Sequence, residues 1–372
     1  MLNQKEMTAP NTSVGVDDGQ PHVIHNHSIT DNPAANKGKM RGDSVNSVSV
    51  NELLDHTFEP RPPVIDKLLY PGTYLFVGPP KVGKSFLMLQ LGYHVSKGKD
   101  LWGYHASQGG VLYLALEDDY FRIQQRMYKM YGAEGTDDFR LSIKVRTLQT
   151  GLIDQLEEYL RQRSDTKLII IDTLQKIRGV QGDQYNYGAD YDVITKLKKF
   201  SDQHNVCVLV VHHTRKMSSE DSFEMISGTN GIFGAADGAF VITKQKRMDD
   251  KAILDITGRD QPNETLTLYF DKGHCIWKCT CKSSEKTVEA KVEDPVLKAV
   301  ADLIRDGNWE GTPTELHNLI GKDFTKPHFL TRYLNVRVND LLSRYGIRYW
   351  QTRTSSSRMI HIGRRTENKS TE

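Results

Sequence analysis

The stretch Gly78-Pro79-Pro80-Lys81-Val82-Gly83-Lys84-Ser85 limits this chain more than any other. An apolar β run, Tyr74 to Val77, leads into it and a helical run, Phe86 to Ser96, leaves it. Strand, glycine-flanked loop and helix in that order form a phosphate-binding loop, and each residue type has a reason to be there. Gly78 and Gly83 let the backbone turn so that successive amide N–H groups face inward onto phosphate oxygens. Lys84 supplies a point charge for the outer phosphates, Ser85 a hydroxyl for a Mg²⁺ ion, and the helix presents its positive end to the anion. The candidate nucleotide contacts are therefore Gly78, Pro79, Pro80, Lys81, Val82, Gly83, Lys84, Ser85 and Phe86.

A phosphate loop needs a sheet to hold it, and the sequence around it alternates accordingly. Apolar β runs fall at Tyr74 to Val77, Val111 to Leu116, Leu141 to Val145, Leu168 to Ile171, Val206 to Val211 and Ala239 to Ile242. Several are continuous rather than alternating in polarity, as strands buried on both faces are. Helical patterns at Phe86 to Ser96, Phe121 to Tyr131, Leu152 to Arg163 and Tyr191 to His204 lie between them, so an α/β domain around a mostly parallel sheet is predicted. Short runs at Ala252 to Thr257, Glu264 to Phe270 and Cys275 to Thr280 then extend that sheet antiparallel.

The flanks differ in texture. Residues 1 to about 50 hold no aromatic residue and are rich in Asn, Ser, Asp, Gly and Thr, so a disordered tail is expected there. The ATPase-type domain spans 51–281 and a polar linker 282–294. From 295 to 363, helical patterns at Val296 to Asp306, Thr314 to Ile320 and Leu334 to Tyr345 precede two strand-like runs, Ile347 to Gln351 and Arg358 to Ile362, a winged-helix-like order followed by a tail, 364–372. Between Lys322 and Lys369, eleven Lys or Arg stand against three Asp or Glu, which makes this half a plausible phosphate-contacting surface. The whole chain of 372 residues has a net charge of only +2, so any nucleic-acid surface must be local. Four cysteines make no disulfide framework, and Cys275, Cys279 and Cys281 with His274 fit no common zinc spacing. No apolar run reaches spanning length, so a cytoplasmic protein with no membrane partner is expected.

Further stretches bear on chemistry. Leu168-Ile169-Ile170-Ile171-Asp172 places a carboxylate at the end of a buried strand, where it can hold a Mg²⁺ shell. Val111 to Leu116 ends in Glu117, positioned to polarise a water aimed at a γ-phosphate or else to open the next helix as an acidic cap; Asp118 and Asp119 are read as caps. His212 and His213 close another strand, either as γ-phosphate contacts or as buried, satisfied imidazoles. Arg259, in Thr257-Gly258-Arg259-Asp260, ends an outer strand, from which a guanidinium can reach a neighbouring subunit's phosphates.

With these in view, residues 60 to 281 resemble the RecA-like ATPases of the plasmid RepA helicase family, a branch near DnaB. The features shared are the Pro-rich lead, the phosphate loop, Tyr113-Leu114-Ala115-Leu116-Glu117-Asp118, the Asp172 strand, His212-His213-Thr214-Arg215-Lys216, Gly228-Thr229-Asn230 with Gly234 to Asp237, and Gly258-Arg259-Asp260. The resemblance implies ATP and Mg²⁺, with Lys84 and Ser85 as phosphate and metal contacts, Asp172 in the metal shell and Glu117 as catalytic base. It also implies His212 and His213 as sensor and Arg259 as a finger acting in trans. Relatives in the DnaB branch often carry Lys-x-Arg at the finger; Thr257 stands here in place of the lysine.

Such proteins form rings, usually hexamers, around single-stranded DNA. The loops expected to face the channel are Arg178 to Gly188, with Gln181 and Tyr185, and Lys216 to Ser227. The implied activity is ATP-dependent helicase or translocase action in replication of a plasmid or mobile element, with duplex DNA a further partner for the C-terminal unit. An ATP-driven assembly switch without unwinding stands as the alternative.

Overall fold

The computed structural model describes residues 47–178, 187–213, 223, 230–246, 248–259, 261, 263–284, 294–305, 307–353 and 358–364. The expected tail up to residue 46, Gln181, Tyr185, the Lys216–Ser227 stretch apart from Phe223, Gly228-Thr229, Asp260 and most of the linker lie outside them.

After a short helix, α1 (Val50–Asp55), the chain enters a nine-stranded sheet. Its strands are β1 (Gly72–Gly78), β2 (Gly110–Ala115), β3 (Phe139–Ser142), β4 (Thr166–Asp172), β5 (Cys207–His213), β6 (Gly238–Thr243), β7 (Lys251–Gly258), β8 (Glu264–Asp271) and β9 (Ile276–Ser284). The spatial order is β3-β2-β4-β5-β1-β6-β7-β8-β9. Strands β1 to β6 pair in parallel, and β7, β8 and β9 add on antiparallel. The six parallel runs and three antiparallel ones anticipated from sequence are all present, with ends shifted by a few residues.

The continuous apolar runs are explained by helices on both faces. Along β1 all seven residues are buried: Tyr74 and Phe76 join the core beneath α2 (Lys84–Lys97) and α3 (Tyr120–Tyr131). Leu75 and Val77 join the core beneath α4 (Leu152–Gln162), α5 (Leu174–Ile177), α6 (Tyr187–His204) and α7 (Asn230–Ala235). β1 is thus central, and the turn at its carboxyl end sits over the middle of the sheet.

The C-terminal residues form a separate core. Helices α8 (Pro295–Leu303), α9 (Pro313–Ile320), α10 (Pro327–Asn335) and α11 (Val338–Tyr345) pack on a small antiparallel sheet of β10 (Trp309–Gly311), β11 (Ile347–Arg353) and β12 (Arg358–Arg364), in the order β10-β12-β11. Three of the helices start with proline in the first turn, where its missing N–H costs nothing. Here the sequence reading needs correction: the single helix expected from Leu334 to Tyr345 is two, with the chain turning at Val336 and Arg337. Pro327, in the first turn of α10, marks where the first of them starts.

Helix α1 and the chain after it are tied to this C-terminal unit. Arg332 Nε donates to Asp55 Oδ1 at 2.6 Å, and Arg358 donates to the Asp55 carbonyl at 2.8 Å. Asn335, 4% exposed, donates to the Leu54 carbonyl and accepts from the Thr57 hydroxyl and from Gln351. A buried amide is tolerated when its polar atoms are paired, and here residues from two other stretches, Leu54 with Thr57 and Gln351, supply the partners.

Candidate functional site

The turn after β1 is built as its letters require. A Cβ on Gly78 would lie 2.6 Å from Ile242 Cγ2, so only glycine lets β1 leave the sheet this close to β6. Gly83 has φ +107°, a left-handed conformation that favours glycine, and a Cβ there would lie 2.9 Å from the Trp277 ring. Trp277 Nε1 also donates to the Gly83 carbonyl at 3.3 Å, and Gln90 of α2 exchanges two hydrogen bonds with the Trp277 backbone. The antiparallel extension thus braces the nucleotide loop from outside. Gly83→Ala is expected to cost about 1–3 kcal/mol through strain and overpacking, read as a lowered Tm together with loss of any ATP-induced rise in Tm.

Lys84 is 6% exposed and every proton of its ammonium is used. It donates to the carbonyls of Gly78 at 2.8 Å and Pro79 at 3.0 Å and lies 3.1 Å from His213 Nδ1. An ammonium can only donate, so His213 Nδ1 accepts and its proton sits on Nε2, which faces Glu117 Oε2 at 3.9 Å. Burial pushes the Lys84 pKa down to about 8, against the opposing pull of Asp172 and Glu117. Burial and the Lys84 charge lower that of His213 as well, keeping it neutral near pH 7.

Beside Lys84, the Ser85 hydroxyl donates to Asp172 Oδ2 at 3.0 Å and the Tyr113 hydroxyl donates to the same oxygen at 2.9 Å. Burial raises the Asp172 pKa, and these two hydrogen bonds oppose the rise. A serine hydroxyl and one carboxylate suit Mg²⁺, which takes few protein ligands and fills the rest of its shell with phosphate and water. Among the described residues no group of three or more His, Cys, Asp or Glu could hold a metal ion. Glu117 follows β2, and its Oε1 accepts from Thr173 Oγ1 at 2.9 Å. Strands β2, β4, β5 and β1 are neighbours, which is why four distant stretches deliver Glu117, Asp172, His213 and Lys84 to one edge.

Other expectations fare differently. Asp119 does cap α3, accepting from the Arg122 N–H, but Asp118 does not: it pairs with Arg126 and Arg122. Arg126 in turn lies 5.0 Å from the ring of Phe86, which also packs on Phe270. Lys81 holds a positive φ of 65° at the exposed tip, and Val82 is buried beneath it. His212, one residue before His213 on β5, pairs in register with Val77 and projects to the other face of the sheet. Of the two histidines it is His213 that meets Lys84 and Glu117. Arg178, assigned to a channel loop, forms an ion pair with Asp190 at 2.5 Å. Cys279 and Cys281 lie on β9 as strand residues.

Arg259 sits elsewhere. Gly258 pairs with Gly238 and Gly238 with Tyr74, four residues before Gly78, so Arg259 lies at the opposite edge of the sheet from Lys84. At 3.3 Å per residue that is about 13 Å along the strand. Its guanidinium donates to the Gly234 carbonyl at 2.9 Å, lies 3.7 Å from Asp237 Oδ1, and is 54% exposed.

Three residues of the site escaped the sequence reading. Thr173 follows Asp172 directly and Tyr113 is the one hydroxyl in an otherwise apolar strand, so both carried a local signal. Trp277, nearly two hundred residues from the loop it braces, carried none.

Against known proteins, a family model described as an AAA domain matches residues 42–219. No curated protein matches. Among solved structures, an ATPase domain is 13% identical over 57% of this chain and 85% of its own, at a TM-score of 0.48. A DnaB-like replicative helicase is 14% identical, covering 56% of this chain and 58% of its own, at 0.47. A KaiC-like protein from the hyperthermophilic archaeon Pyrococcus horikoshii OT3 is 12% identical, covering 61% and 99%, at 0.43. The molecule is an α/β protein with a mostly parallel central sheet, a phosphate-loop turn after its central strand and an antiparallel extension. No helix among the described residues is long and apolar enough to cross a membrane.

Proposed function

We propose that this chain is an ATP-driven DNA helicase or translocase of the RepA type, working as a homo-oligomeric ring, a hexamer, in replication of a plasmid or other mobile element. The observation that carries this reading is the division of the site. Lys84, Ser85, Asp172, His213 and Glu117 gather at one edge of the sheet, and Arg259 stands exposed at the other. A phosphoryl transfer site gains most from preorganised charge, and an arginine that cannot reach its own loop can act only on a neighbour's.

In this reading the loop amides and Lys84 hold the triphosphate, and Mg²⁺, when bound through Ser85 and Asp172, neutralises charge on it. Glu117, fixed by Thr173, orients the attacking water and takes its proton. His213 accepts from Lys84 and faces Glu117 at 3.9 Å, so loss of the γ-phosphate is felt at the end of β5, just before the proposed channel loop. The C-terminal unit, helices over a small antiparallel sheet, is read as a winged-helix-like DNA-binding module.

The test is unwinding of a forked duplex with ATP by the wild type and by Glu117→Gln. Strand displacement that depends on Glu117 supports the motor. A second reading, an ATP-dependent assembly switch, gains from the pairing of Arg178 with Asp190, which occupies one expected channel contact. ATP hydrolysis without displacement selects it.

The lowered pKa of Lys84 gives a separate check. Below pH 8 the free protein already carries the proton; between about 8 and the ordinary lysine value of 10.5 it has lost it. Polyphosphate favours the ammonium, so binding at pH 9 should take up about one proton, and at pH 7 almost none. Calorimetry in two buffers of different ionisation enthalpy measures this. Uptake that persists in Lys84→Arg would place the titrating group elsewhere.

A further inference from the structure

The basic half of the C-terminal unit is less available than its composition suggests. Arg332 is bound to Asp55, Arg337 lies 3.4 Å from Asp294 and over the Tyr333 ring at 3.7 Å, and Arg344 pairs with Asp340 at 3.6 Å. The arginines of α10, of α11 and of the turn between them thus face acids of the chain itself. The two long strands, β11 and β12, carry Arg348, Arg353, Arg358 and Arg364 and no carboxylate of their own, with Arg358 held by the Asp55 carbonyl and Arg348 3.9 Å from Glu59.

Alternation along β11 sorts these strands into two faces. Ile347 and Tyr349, with Ile360 and Ile362 of β12, are buried in the C-terminal core. Arg348, Trp350 and Thr352 point the other way and are exposed, and His361 lies opposite Trp350 in register. Trp350 is 43% exposed, and its indole stacks on the His361 ring with centroids 5.1 Å apart and planes 10° from parallel. His361 is fixed from two sides, 2.8 Å from Thr352 Oγ1 and 3.4 Å from Glu310 of β10. The acids at the margins are Glu310 and Glu59, the latter 3.9 Å from Arg348.

We propose that this outer face is a single-strand nucleic-acid platform, on which Trp350 stacks a base and Arg348, two residues along the strand, contacts a phosphate. A flat indole held in place by a stacked imidazole loses little freedom when a base is laid on it, and every base has a π-face to offer. Neither β11 nor β12 carries a carboxylate of its own to repel phosphate, and a phosphate at Arg348 competes only with Glu59 at 3.9 Å. The inference deepens the proposed function by assigning the strand-binding surface to the sheet of the C-terminal unit rather than to its helices.

The test uses the full chain and two labelled probes, a 20-mer oligodeoxythymidylate and a duplex of equal length, followed by anisotropy at fixed salt. ATP hydrolysis without DNA is measured alongside. Trp350→Ala is expected to weaken single-strand binding by roughly fivefold to a hundredfold, the range of one stacked base. Basal hydrolysis and duplex binding should stay within about twofold. Trp350→Phe should keep the affinity while losing the quenching of indole emission that the wild type shows on binding. Arg348→Gln should reduce the slope of log affinity against log salt by about 0.7.

Single-strand affinity unchanged in Trp350→Ala, or quenching retained in Trp350→Phe, overturns the proposal. So does a change in oligomer size with affinity kept, which would make the face a contact between copies of the chain. If the wild type binds the strand through Trp350 but hydrolyses no ATP, the platform stands and the motor reading falls. If hydrolysis is DNA-stimulated and Trp350→Ala binds normally, the reverse holds.

Discussion

Arg259→Ala should lower ATP turnover by about 10³-fold or more while leaving nucleotide affinity within a fewfold. The size follows from what a guanidinium does for a transferring phosphoryl group, where a finger arginine is worth about 10³ to 10⁵. The selectivity follows from position. Arg259 is at the far edge of the sheet from Lys84 and makes its contacts with Gly234 and Asp237, so removing it leaves the loop that grips phosphate untouched. Steady-state hydrolysis with saturating single strands, paired with equilibrium binding of a fluorescent ATP analogue, separates the two quantities. Turnover that survives the substitution would move the finger to another residue. A matching loss of nucleotide affinity would mean that Arg259 supports the fold of its own protomer instead.

Glu117→Gln should cost about 10² to 10⁴ in turnover, the usual worth of a positioned base. The amide can still accept from Thr173, so the side chain stays where the carboxylate was and only its proton-accepting power goes. The two variants also test each other. Mixed in equal amounts and allowed to exchange subunits, Glu117→Gln and Arg259→Ala proteins should recover part of the wild-type rate. Some interfaces then pair an intact Glu117 with an intact Arg259 from the neighbour. A site contained within one protomer gives no recovery.

Much of this was legible in the chain because the core of an α/β sheet writes itself as continuous apolar runs. β1, β4 and β5 are buried on both faces, so no polar alternation blurred them, and each run ends in a residue of the site: Gly78, Asp172 and His213. What stayed hidden was set by contacts distant in sequence. Asp118 reads as a helix cap until Arg126, two turns on, is seen to hold it. His212 and His213 are equivalent as letters, and only the alternation of β5 decides which one meets Lys84. The break between α10 and α11 left no glycine or proline at the turn itself. The basic count between Lys322 and Lys369 was right as a sum, but partners such as Asp55 and Asp294 lie outside that window and alter its meaning.

The hold of the C-terminal unit on α1 bears on where the molecule can be cut. A fragment starting at residue 62 strips Asp55 from Arg332 and Arg358 and takes Thr57 and Leu54 from Asn335, leaving two cations and an enclosed amide short of partners. A fragment ending at Ser284 does the converse, stranding a six-residue helix too short to persist alone. The two ends of the chain therefore behave as bookends: trimming either by itself injures the other, and an isolated phosphate-loop core is better made by removing both.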